Sequence, residues 1–170
     1  MIQNKWGCFP SWRPVTEWHE NNEDMVLIAS FVFLRPAAAD RPAQVWIARE
    51  GLQFDGESKR WWMASVMKGR YEGPGRLAAV IHDEYCARGR DEQSSPYSSD
   101  EVHRVYYEAA RCAGLPAWRA EARWFGVRKF GPRFDAAPGV ATYTLEDLRT
   151  VAPEAYAQLY LVDLLALGFV

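Results

Sequence analysis

The chain predicts an α+β domain in which a small antiparallel β region precedes a layer of four to five helices. Two observations carry this. The first third holds short apolar runs rich in β-branched and aromatic residues, whereas from Gly75 onward the apolar residues recur at helical spacing. At 170 residues and 49% hydrophobic, the chain fits one domain spanning 1–170.

The elements follow in order. Residues 1–24 mix Pro10, Pro14, Trp6, Trp12 and Trp18 with polar residues and show no period, so they read as an irregular N-terminal segment. Met25 to Leu34 is a charge-free run that reads as one buried strand. Gln44 to Arg49 and Leu52 to Phe54 read as two more. In Arg76 to Arg88, Leu77, Ala78, Ile81 and Tyr85 form one helical stripe, bounded by Gly73-Pro74-Gly75 and Gly89. Ser98 and Glu101 have capping-box spacing, and a helix burying Val102, Val105, Tyr106 and Ala109 runs from there to Gly114. Pro116 opens a third helix through about Lys129. Residues 132–170 read as a C-terminal helical extension, with an N-cap at Thr144 and a last helix from Pro153 to Leu167.

Composition excludes several classes. Lys+Arg total 20 against 22 Asp+Glu, a net charge of −2, which disfavours a generic nucleic-acid binder. Cys8, Cys86 and Cys112 are odd in number and lack CxxC spacing, so they predict neither a disulfide framework nor a zinc ribbon, but small buried thiols. The N-terminus lacks the apolar core of a secretory signal and no segment is long enough to span a bilayer, so cytoplasmic synthesis is expected. Oligomeric state is not legible.

Chemistry concentrates at Ile81-His82-Asp83-Glu84-Tyr85, where a histidine adjoins carboxylates. His103 lies on the next helix, and helices joined by a short loop usually pack, so His82 and His103 are expected to meet. Two imidazoles and the Asp83 carboxylate suit zinc or another divalent metal with an open position. Without metal, the trio suits acid–base work. The competing reading is a histidine edging the core and a structurally paired aspartate. Asp55, before Gly56, is either an Asx turn or a loop carboxylate approaching the site. Arg128 belongs to a patch from Pro116 to Arg133 with five basic residues and one acid, interleaved with Trp118, Trp124, Phe125 and Phe130. Such a patch holds nucleic acid in some proteins and is a solvated amphipathic face in more.

Four segments in order, Phe54-Asp55-Gly56-Glu57-Ser58, Ala79 to Tyr85, Val105 to Ala109 and Val127-Arg128-Lys129-Phe130-Gly131, resemble a phage and prophage family catalogued as domain of unknown function 1353. Its motifs run TDGAS, HDYLY, ADxxF and VRxFG, and the likeness covers roughly residues 25–131. Here HDYLY has become His82-Asp83-Glu84-Tyr85-Cys86, and the acidic position of the third motif holds His103. The resemblance supports the location of a site and leaves its chemistry open. Together with the residues it points to a phage- or prophage-type hydrolase, metal-dependent at His82, Asp83 and His103, with Asp55 assisting and Arg128 pairing with an anionic group, and the phage association makes a cell-envelope polymer the expected substrate. The alternative is a non-catalytic phage accessory protein, or an inhibitor of a host system, acting through protein–protein contact.

Overall fold

The computed structural model describes residues 1–11, 13–20, 24–54 and 73–169. Asp55 and the remainder of the first family-like segment after Phe54 lie outside the described residues. The predicted α+β class holds: strands come first and helices after, with every described strand pairing antiparallel.

The irregular N-terminal segment expected from the sequence is instead partly strand. β1 (Ile2–Asn4) and β2 (Gly7–Phe9) form a hairpin, and β3 (Thr16–Trp18) lies beyond it. Strands of three residues complete barely one alternation, so no period is visible. The hairpin is local chemistry: the Asn4 side chain accepts from the Trp6 N–H at 2.9 Å, as an Asx turn does. Gly7 follows at φ +139°, where a Cβ would meet the Phe33 ring and the Leu34 carbonyl at 2.6 Å.

The apolar run from Met25 to Leu34 is two strands, not one. β4 (Met25–Leu27) pairs with β3 and with β7 (Gln53–Phe54), whereas β5 (Phe31–Arg35) pairs with β2 and with β6 (Gln44–Ala48). The chain crosses between the two sheets at Ile28–Ser30. There the Ile28 N–H donates to the Val15 carbonyl and the Ser30 hydroxyl accepts from the Glu50 N–H, both at 3.1 Å.

The four-stranded sheet β1-β2-β5-β6 is covered on both faces, which explains why β5 reads as continuously apolar. Alternation assigns its residues. Phe9, Phe31, Phe33, Trp46 and Ala48 meet the helices. Cys8, Val32, Leu34, Val45 and Ile47 meet Leu148, Ala152, Ala155, Val162 and Leu167 from the C-terminal segment.

Helices α1 (Gly75–Arg90), α2 (Ser99–Cys112) and α3 (Ala117–Phe130) match the sequence reading to within two residues. Ser98 caps α2 by accepting from the Glu101 N–H at 3.5 Å. The box is only half made, because the Glu101 carboxylate turns to Arg35 instead. A short α4 (Leu148–Val151) follows the Thr144 turn, and the last helix expected from Pro153 to Leu167 is broken into α5 (Pro153–Tyr156), a 3₁₀ turn at Leu159–Leu161 and α6 (Leu164–Leu167). Asp163 breaks it: its carboxylate accepts from the Ala166 N–H at 2.9 Å and restarts the helix. No helix among the described residues is long and apolar enough to cross a membrane.

Charged pairs fasten both helices to the sheet. Arg35 closes β5 with its guanidinium fully buried, and Glu108 of α2 grips it as a fork, Nε at 2.6 Å and Nη2 at 3.1 Å. Gln44 and Glu101 accept from its Nη1. Burial opposes the charge, yet Glu108 and Glu101 more than offset it and hold the Arg35 pKa above its ordinary value. On α1, Glu84 pairs with Arg49 at 2.5 Å, and the Tyr85 hydroxyl accepts from the Ile47 N–H at 3.2 Å. Replacing Glu108 by Ala takes the fork from a buried guanidinium and leaves it only Glu101 and Gln44. Urea denaturation is expected to show a loss of about 3 kcal/mol, whereas Asp91→Ala, at an exposed pair, leaves stability nearly unchanged.

Candidate metal centre

The short loop between α1 and α2 folds the two helices against each other, and their interface carries polar atoms at its middle. His82 and Cys86 stand one turn apart on α1, so both side chains point the same way. His103 meets them from α2. His82 Nε2 lies 3.0 Å from His103 Nδ1, and Cys86 Sγ lies 3.5 Å from His82 Nε2. One donor atom from each residue falls within 4.8 Å of the others. Tyr106 sets its ring edge-on to His82 at a centroid distance of 5.2 Å.

The cluster is dry. His103 is 0% exposed, Cys86 7% and His82 8%. Burial lowers the His82 pKa to about 4, and burial together with the neighbouring His82 lowers that of His103 to about 4. Both rings are therefore neutral near pH 7, the form that ligates metal. Burial, and then the Asp83 charge, pushes the Cys86 thiol well above its ordinary value. Without a metal, Cys86 is thus no activated nucleophile.

Two surroundings fix the rings. Asp83 Oδ1 sits 3.4 Å from the other nitrogen of His82, Nδ1, with its side chain 26% exposed at the solvent edge. On the far side, the buried Nε2 of His103 abuts the Gly131-Pro132 corner. Pro132 raises the His103 pKa against the larger effect of burial. A Cβ at Gly131 would meet the Val127 carbonyl at 2.2 Å and the His103 ring at 2.9 Å at Cε1 and 3.2 Å at Nε2, so glycine keeps this corner clear of both. A proton on Nε2, at that corner, leaves the His103 Nδ1 lone pair aimed at His82 and Cys86.

The structure thus brings His82 and His103 together, as their loop spacing predicts, with Asp83 beside them on the outer edge of His82. The third inward donor is Cys86, which the sequence reading took for a small hydrophobe. The signal was present as the His82-x-x-x-Cys86 spacing of one helical turn. Arg128 is exposed on α3, stacked on Trp124 at 5.3 Å, and lines a groove between α2 and α3 that His82, Cys86 and His103 do not line.

A family model described as "Protein of unknown function (DUF1353)" matches residues 31–127. The chain belongs to this family. The DUF1353 match includes His82, Cys86 and His103 and stops short of Gly131. The chain is similar to "Uncharacterized protein y4jT" of Sinorhizobium fredii (strain NBRC 101917 / NGR234), 31% identical over 87 residues, 51% of this chain and 24% of that protein. It is also similar to "Uncharacterized protein y4iH" of the same strain, 30% identical over 89 residues, 52% of this chain and 35% of that protein. The chain therefore matches about a quarter and about a third of these two relatives' own lengths. No solved structure matches.

The neutral pair gives the metal-free protein an acid-sensitive core. Unfolding exposes both imidazoles, whose pKa values return to about 6.5. Between pH 6.5 and about 4 the unfolded state binds protons that the native state does not, so stability falls as pH drops through that window. Melting temperature measured in chelator is expected to decline by several degrees from pH 7 to pH 5. His103→Leu, which removes one of the two protons taken up, should flatten that decline.

Proposed function

We propose that His82, Cys86 and His103 hold a zinc ion and that the protein is a metal-dependent hydrolase built on that centre. One observation carries this reading: three buried donors lie within 4.8 Å of one another, and two of their three separations approach the edges of a zinc coordination tetrahedron. Zn–N bonds of about 2.0–2.1 Å and a Zn–S bond of about 2.3 Å at tetrahedral angles separate two nitrogens by about 3.3 Å, and nitrogen from sulfur by about 3.6 Å. The corresponding separations here are 3.0 Å and 3.5 Å. Nitrogen and thiolate donors together favour zinc over magnesium or calcium.

Three protein donors leave a fourth position, the pattern of catalytic rather than structural zinc. An ion there would supply Lewis acidity and an acidified water. Asp83, beside His82 Nδ1 and 26% exposed, would orient His82 and serve as the group that takes a proton. Asp55 assists and Arg128 pairs with an anionic group of the substrate. The phage setting implied by the resemblance makes cell-envelope polymers the first substrates to assay. A non-catalytic accessory protein is the second reading, favoured by the complete burial of His103.

Elemental analysis and thermal melting separate the two. The protein is expected to carry one zinc per chain and to melt higher with zinc than in chelator. His103→Ala and Cys86→Ala should abolish that shift, whereas Asp83→Asn should keep zinc and lose hydrolysis of cell-envelope polymer. Native protein without stoichiometric metal, with melting indifferent to zinc, would leave the accessory reading.

A further inference from the structure

The groove between α2 and α3 has a chemistry of its own. It encloses about 590 Å³, within the range of about 300–1,000 Å³ usual for small-molecule sites. Three rings, Trp6, Tyr107 and Trp124, form a row along it, with successive centroids 5.6 and 6.0 Å apart. Cations brace the outer two: the Arg111 guanidinium lies 5.3 Å from the Trp6 ring and that of Arg128 lies 5.3 Å from Trp124. Rings held in this way need little ordering on binding.

The polar lining is balanced. From α3, Glu121 and Arg128 stand on the same face as Trp124, at i, i+7 and i+3. From α2 come Asp100, paired with Arg133 at 2.9 Å, Arg104, at 3.4 Å from both Asp40 and Glu108, and Glu108, held by Arg35, so Glu121 and Arg128 of α3 carry the polar contacts to a ligand. A polyanion would meet carboxylates on both walls. A purely apolar ligand would strip water from charged groups without pairing them. A sugar ring satisfies the lining: its C–H face lies on an aromatic ring, and its hydroxyls both accept from arginine and donate to carboxylate.

We infer that this groove binds a neutral saccharide chain. The inference does not rest on the zinc ion, since His82, Cys86 and His103 do not line the groove, but it gives Arg128 to a sugar hydroxyl where the hydrolase reading gives it to an anionic group.

Calorimetry and tryptophan fluorescence of the full chain test it, with chitotetraose, cellotetraose and maltotetraose as probes and a short oligothymidylate as the polyanion. At least one tetrasaccharide is expected to bind saturably and perturb tryptophan emission, to the same extent in chelator and in zinc. Trp124→Ala should weaken that binding about tenfold or more, and so should Glu121→Ala, at an exposed position where folding is not at stake. The proposal is overturned if no tetrasaccharide binds, if neither variant weakens binding, or if oligothymidylate binds more tightly than every sugar. Loss of the zinc-dependent melting shift bears on the metal reading alone.

Discussion

Two imidazoles meeting at 3.0 Å in a dry helix interface are the constraint around which this protein is arranged. Neither ring can carry a second proton there at neutral pH without setting a buried charge beside its neighbour. The pair must therefore be neutral, with one nitrogen donating to the other or both lone pairs turned to a cation. Neighbouring groups conform to this requirement. Asp83 stands at the outer nitrogen of His82, Gly131 leaves room for the far edge of His103, and Cys86 adds a soft donor on the same side.

The sheet sets the separation of the two rings. α1 is anchored by Glu84 on Arg49 and by Tyr85 on the backbone of Ile47, both at β6 or its end. α2 is anchored by Glu108 and Glu101 on Arg35 at the end of β5. Because β5 and β6 are adjacent strands in fixed register, these anchors hold the two helices at one spacing. The buried ion pairs thus contribute less through net energy than through position, a role that hydrophobic replacements of equal volume would not fill. The other face of the sheet, covered by α4 to α6, plays no part in the cluster and supplies bulk burial.

Much of this was legible in the sequence, and the exceptions have physical reasons. Helices α1 to α3 were readable because glycine or proline bounds them, and α1 and α2 also repeat their apolar positions over three turns or more. β1 to β3 were not, since three-residue strands have no measurable period. The break at Ile28–Ser30 was hidden because sheet residues covered on both faces look alike from one end of the run to the other. The meeting of His82 with His103 followed from a short inter-helix loop. Cys86 was passed over because a buried thiol and a small apolar side chain share one sequence signature. The contact of Gly131 with His103 joins residues 28 positions apart, and nothing local announces it.

The ligand set is the central claim, and X-ray absorption at the zinc edge of the loaded protein tests it most directly. The geometry predicts a four-coordinate ion with one sulfur near about 2.3 Å and two imidazole nitrogens near about 2.0 Å, the sulfur shell vanishing in Cys86→Ser. A six-coordinate shell of oxygen and nitrogen alone in the native protein, unchanged by that substitution, would contradict it.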